Sequence, residues 1–119
     1  MESILRSIKK MLGIGAEYEH FDEDIIMHIN SVFADLAQMG VGPADGFMIE
    51  DDTSEWTDFT EDNLLLNSVK SYMNLRVKLL FDPASIGSST LASYERQISQ
   101  WEWRLHIAAE SAAEASETN

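Results

Sequence analysis

Residues 61–83 read EDNLLLNSVKSYMNLRVKLLFDP, and their period decides the fold class. Leu65, Val69, Tyr72, Met73 and Leu79 recur at helical spacing as a main stripe. Leu64, Leu75, Val77 and Leu80 carry apolar groups around much of the remaining circumference. A helix that is apolar on more than one face is central in a bundle or buried at a subunit contact. Thr60 is the expected N-cap, and Glu61 and Asp62 suit the positive end of the helix dipole. Pro83 ends the helix, because the residue before a proline is pushed out of the helical region.

Downstream, ASIGSS (84–89) is a linker to a last helix from about Thr90 to at least Ala109. Leu91, Tyr94, Ile98, Trp101, Leu105 and Ala108 alternate in steps of three and four, the pattern of a seam facing a partner helix. The remainder, 111–119, is a small, acidic, polar tail outside the helical domain of residues 1–110, frayed or disordered by composition. Upstream, residues 47–59 predict at most a small hairpin, with FMI (47–49) and EWTDF (55–59) as its arms around an acidic turn. VGPADG (41–46) is a loop. A helix starts at Asp22, which can cap, with Glu23 and Asp24 in its first turn, and Gly40 stops it. Its stripe is Ile25, Ile29, Val32, Phe33 and Leu36. Residues 2–12 form a short amphipathic helix on Ile4, Leu5, Ile8, Met11 and Leu12, with Lys9 and Lys10 at its negative end and Gly13 and Gly15 beyond it.

The fold class is therefore all-α, a single-domain bundle of about four helices. Its expected core includes Ile29, Val32, Phe33, Leu65, Val69, Tyr72, Ile98, Trp101 and Leu105.

Composition narrows the function. The chain has 119 residues with 8 basic and 21 acidic side chains, so its net charge is 8 − 21 = −13. Such a balance argues against a general nucleic-acid binder, since phosphate contacts need Lys and Arg. No cysteine is present, which excludes disulfides, thiolate metal sites and thiol nucleophiles. No apolar run reaches the length of a membrane span, and the charged N-terminal stretch is a helix pattern and not a signal peptide. Asp24 and His28 are one turn apart and read as a surface ion pair and not a metal site. The acidic clusters 22–24 and 50–52 lack the alternating ligands of a calcium loop. No nucleophile motif or phosphate loop occurs. Catalytic residues, metal ligands and cofactors are thus expected to be none.

The aromatic residues carry more. Trp103 stands off the seam of the last helix, on a second face with Arg96, Gln100 and Ile107. Trp and Arg are enriched at interface hot spots, so Arg96, Trp103 and Ile107 form a candidate interface, with Trp56 a further candidate. The bland alternative is that this second face packs on the N-terminal helix. Asp22, Glu23 and Asp24 are the candidate acidic partners of Arg96 in a neighbouring subunit.

The order of IKKMLGIG, FDEDII, MGVGPADGF, DDTSEWTDF, VKLLFDP and YERQISQWEWRL resembles the head–tail connector (head-completion, adaptor) proteins of tailed bacteriophages. The likeness runs to about Leu105; LLFDP and ERQI…EWRL carry most of it, and the acidic tail has no counterpart. The resemblance implies a virion protein without catalysis, sited at the neck and present in the host cytoplasm during assembly. It implies a homo-oligomeric ring of about twelve subunits under the portal protein. It also implies contact with the next neck or tail-completion protein, and a channel through which genomic DNA passes without specific binding. Two other classes fit the composition: an acidic helical DNA mimic that blocks a DNA-binding enzyme, and a regulatory adaptor that forms no ring.

Overall fold

The computed structural model describes residues 2–117. Among them are five α-helices: α1 (Ile4–Met11), α2 (Asp22–Gln38), α3 (Trp56–Phe59), α4 (Asn63–Phe81) and α5 (Ser88–Glu117), with a 3-10 turn at Pro83–Ser85 before α5. The described residues contain no strand, so the hairpin expected at 47–59 does not form.

Its physical replacement is explicit. The Asn30 side chain on α2 takes the place of a strand partner. Its Oδ1 accepts from Ile49 N–H (2.8 Å) and its Nδ2 donates to Ile49 C=O (3.0 Å). The returning arm pairs instead with the start of the chain: Ile4 N–H donates to Ser54 C=O (3.0 Å) and Trp56 N–H to Glu2 C=O (3.2 Å). Residues 56–59 then coil into α3, where Glu55 N–H donates to the Asp58 carboxylate (2.8 Å). In the preceding turn, Thr53 donates to Asp51 from its hydroxyl (2.5 Å) and its N–H (2.9 Å). These bonds, the hydroxyl first, hold the Asp51 carboxyl below its ordinary value.

The core is built on α2 and α4. Ile25, Ile29, Val32, Phe33 and Leu36 of α2 are buried against Leu66, Val69, Tyr72, Met73 and Val77 of α4. The buried stripe of α4 is thus rotated from the expected one, with Leu66 and Val77 inside and Leu65 and Leu79 half-buried. Ile4, Leu5 and Ile8 of α1 close one side. Phe33 is the hub for the irregular segment: its ring centroid lies 4.9 Å from Phe47, 5.0 Å from Phe59 and 6.5 Å from Trp56. Each large apolar side chain so buried contributes roughly 1.5–3 kcal/mol.

Helix ends follow backbone chemistry. Asp62, not Thr60, caps α4, accepting from Leu64 N–H (3.1 Å) and Leu65 N–H (3.2 Å). Asp22 is the first helical residue of α2 and not its cap. At the end of α2, Gly40 takes φ +83°, its N–H donates to Ala37 C=O and Val41 N–H to Leu36 C=O, a Schellman motif; α1 ends the same way at Gly13. Gly42 answers a second need: a Cβ there would lie 2.5 Å from the Phe59 ring.

The helix α5 differs from the rest. It packs on α4, yet Leu105 is the single fully buried side chain on it among the described residues. Ile98 and Trp101, expected in the core, are half-buried, as are Leu91 and Tyr94. The helix continues through the acidic Ala/Ser/Glu stretch to Glu117; residues 118–119 of the expected tail lie outside the described residues.

Candidate functional site

The outer face of α5 brings together three of the sequence-predicted residues. Arg96, Trp103 and Ile107 lie along one side of the helix over about 16 Å at 1.5 Å per residue. Trp103 is 67% exposed and Ile107 39%. Trp103 stands at the rim of a shallow depression of about 710 Å³ shared with Asp35, Gln38 and Met39 of α2. Arg96 is exposed and has no hydrogen bond or ion pair among the described residues. Exposed as they are, Arg96, Trp103 and Ile107 are not covered by α1.

A polar clasp fixes α5 behind that face. Tyr72 Oη donates to Glu102 Oε2 (2.8 Å), Arg76 Nη1 donates to Tyr72 Oη (2.6 Å), and Arg76 Nη2 donates to Asp35 Oδ2 (2.8 Å). Burial, then the Glu102 carboxylate, pushes the Tyr72 phenol up to about 12. Burial pulls the Arg76 guanidinium down, but its bonds to Asp35 and Tyr72 outweigh that and leave it raised. Three helices are thereby joined by one network, which positions Trp103 one residue beyond Glu102.

The other candidates separate. Trp56 is 2% exposed, with Nε1 donating to Ser7 Oγ (2.9 Å), so it is a core side chain apart from the α5 face. Glu23 and Asp24 are exposed at the start of α2. Asp22 is engaged within the chain, its Oδ1 2.8 Å from Lys9 Nζ. Lys9 is 1% exposed and also donates to Ala16 C=O (3.1 Å) and Tyr18 C=O (2.8 Å), so it locks the 13–20 loop between α1 and α2. The expected Asp24–His28 pair is absent among the described ion pairs, whereas His106 and Glu110 pair one turn apart on α5 (3.0 Å).

Sequence reasoning missed the clasp and the role of Lys9. Tyr72 reads as an apolar stripe residue, and Lys9 as a helix-end cation. Among the described residues no three His, Asp or Glu side chains gather as a metal site, and no helix is long and apolar enough to cross a membrane.

No curated protein and no solved structure matches the chain. The phage connector protein family matches it over residues 4–112, from the first residue of α1 into the last turns of α5. That span takes in α1 to α4, α5 as far as residue 112 and the face just described, and by it the chain belongs to the phage connector protein family.

Proposed function

We propose that this chain is a structural head–tail connector that forms a ring of identical copies beneath the portal at the virion neck, extends the DNA channel and offers a surface to the next neck or tail-completion protein. Membership of a structural connector family implies a non-enzymatic role and assembly with other phage head or tail proteins. The observation that carries the ring reading is the unpartnered outer side of α5, a long helix with one fully buried side chain among its described residues and an exposed tryptophan. A large exposed aromatic beside a half-buried apolar seam marks a contact surface.

A closed ring needs two different, complementary surfaces on each subunit. Arg96, Trp103 and Ile107 supply one. Glu23 and Asp24 of the neighbour supply charge for Arg96, while Asp22, held by Lys9, fixes the helix end that presents them. A charge pair of this kind sets orientation and offsets repulsion between subunits of charge −13. In a ring of about a dozen such subunits, DNA phosphates meet like charge and pass without adhering.

Trp103→Ala tests the contact. The isolated variant keeps the wild-type melting temperature, and its assembly on purified portal, read by sedimentation, weakens by about 2 kcal/mol, roughly thirtyfold. A lower melting temperature would make Trp103 a packing residue. Unchanged melting and unchanged assembly would remove this face from the interface.

A further inference from the structure

Three of the chain's 8 basic residues converge on one cleft of about 680 Å³. Arg6 and Lys10 stand one turn apart on α1, and Lys70 enters from α4 beside Asn74 and Trp56. Glu2 is the one acidic residue in the lining and Asp52 sits against Arg6, so the cleft with its paired carboxylates carries 3 − 2 = +1 in a chain of −13. Lys70 is held by Glu2 (3.1 Å) and lies 5.7 Å from the centre of the Trp56 ring. Arg6 is held from the far side by Asp52 (2.9 Å) yet stays 63% exposed. Lys10 is exposed and has no carboxylate partner among the described residues. Arg6 and Lys70 are thus each paired with a carboxylate of the chain, and Lys10 is the cation, unpaired among the described residues, that an incoming carboxylate would meet.

The matching anion is on α5, where Glu110 is shared with His106 of the same helix (3.0 Å) and stays exposed. Residues 105–119 contain Glu110, Glu114 and Glu117 and no Lys or Arg. The C-terminal end of a helix also carries the negative end of its dipole. Residues 110–113 are exposed, and among the described residues none of α5 lines the cleft. The neighbouring surfaces also carry opposite charges. Along α5, cationic Arg96 precedes Glu110 by about 21 Å at 1.5 Å per residue. On the α1 side, Arg6 borders both the cationic cleft and an acidic depression of about 320 Å³ that holds Asp22 and Glu23.

We infer that the cationic cleft beneath α1 receives the acidic C-terminal turns of α5 from a second copy of the chain. The inference rests on the ring reading and names the second surface of its subunit contact. Charge attraction of this kind weakens as salt is raised.

The test is fluorescence anisotropy of a labelled peptide of residues 105–119 against the full-length protein in low salt. Wild-type protein binds it. Lys10→Glu, at an exposed position without a partner, lowers affinity at least tenfold, and so does a peptide carrying Glu110→Gln, Glu114→Gln and Glu117→Gln. No binding, or equal binding of the Gln peptide, overturns the inference. Equal binding of polyglutamate makes the cleft a general anion surface, and tighter binding of a DNA oligonucleotide makes it a phosphate site; either result also overturns it. Ring assembly is read separately by sedimentation. Rings that persist unweakened in Lys10→Glu overturn the cleft assignment and leave the connector reading intact. Peptide binding without wild-type rings overturns the ring reading and leaves the cleft assignment standing.

Discussion

Asn30 and Tyr72 each do work that a residue class alone does not reveal. Asn30 satisfies both backbone groups of buried Ile49 with one amide. Removing it orphans a buried donor and acceptor, so Asn30→Ala costs about 2 kcal/mol. Hydrogen exchange checks this at one amide: Ile49 N–H is protected in the wild type and exchanges much faster in the variant. Exchange unchanged by Asn30→Ala would mean that another group holds Ile49. Tyr72 gives a pH signature. Its folded-state value of about 12 lies above the ordinary 10, so the neutral phenol is the form that the fold favours. The resulting stability is fully present below pH 10 and is lost as pH rises to about 12, on the order of 2–3 kcal/mol in all. Tyr72→Phe lacks this loss. Urea titrations of both proteins will show the wild type ahead by about 1 kcal/mol at neutral pH and losing that lead as the pH climbs. Parallel curves through the alkaline range would contradict the assignment. Neither role is visible in sequence, because each depends on a partner 19 or 30 residues away.

At the scale of elements, α1, α2 and α4 were legible because each closes one apolar stripe on a shared core. Their caps were less so: several acidic and hydroxyl residues precede α4, and local geometry selects Asp62 over Thr60. Residues 47–59 misled because alternation in so short a segment does not say which partner completes its backbone bonds. Here a side chain and the chain's first residues do so, and Trp56 and Phe59 turn inward three residues apart. For α5 the period was right and the burial was not. Its seam repeats as a partnered helix should, but within one subunit the partner covers Leu105 fully and Ile98 and Trp101 by half. Leu105→Asp therefore places a charge at the one deep anchor among the described residues of α5. Circular dichroism will show a lower melting temperature and loss of helix signal in that variant. A melting curve identical to the wild type would show that α5 does not depend on this anchor.

On the scale of the whole molecule, the chain measures 48 × 35 × 20 Å, a slab with α5 lying outermost against α4. An incompletely covered long helix, a net charge of −13 and a cationic cleft on the α1 side make sense together if identical slabs pack side by side. Composition already excluded thiol chemistry and argued against a general nucleic-acid binder. The sequence alone could not show that the basic residues of α1 and α4 meet, since Arg6 and Lys70 are 64 positions apart. The decisive measurement is the mass of the complex that the wild-type chain forms with purified portal, by analytical sedimentation. The expected product is a discrete species holding a closed ring of identical copies, on the order of a dozen per portal. A portal that sediments unchanged, with the chain left as a monomer, would contradict the connector ring.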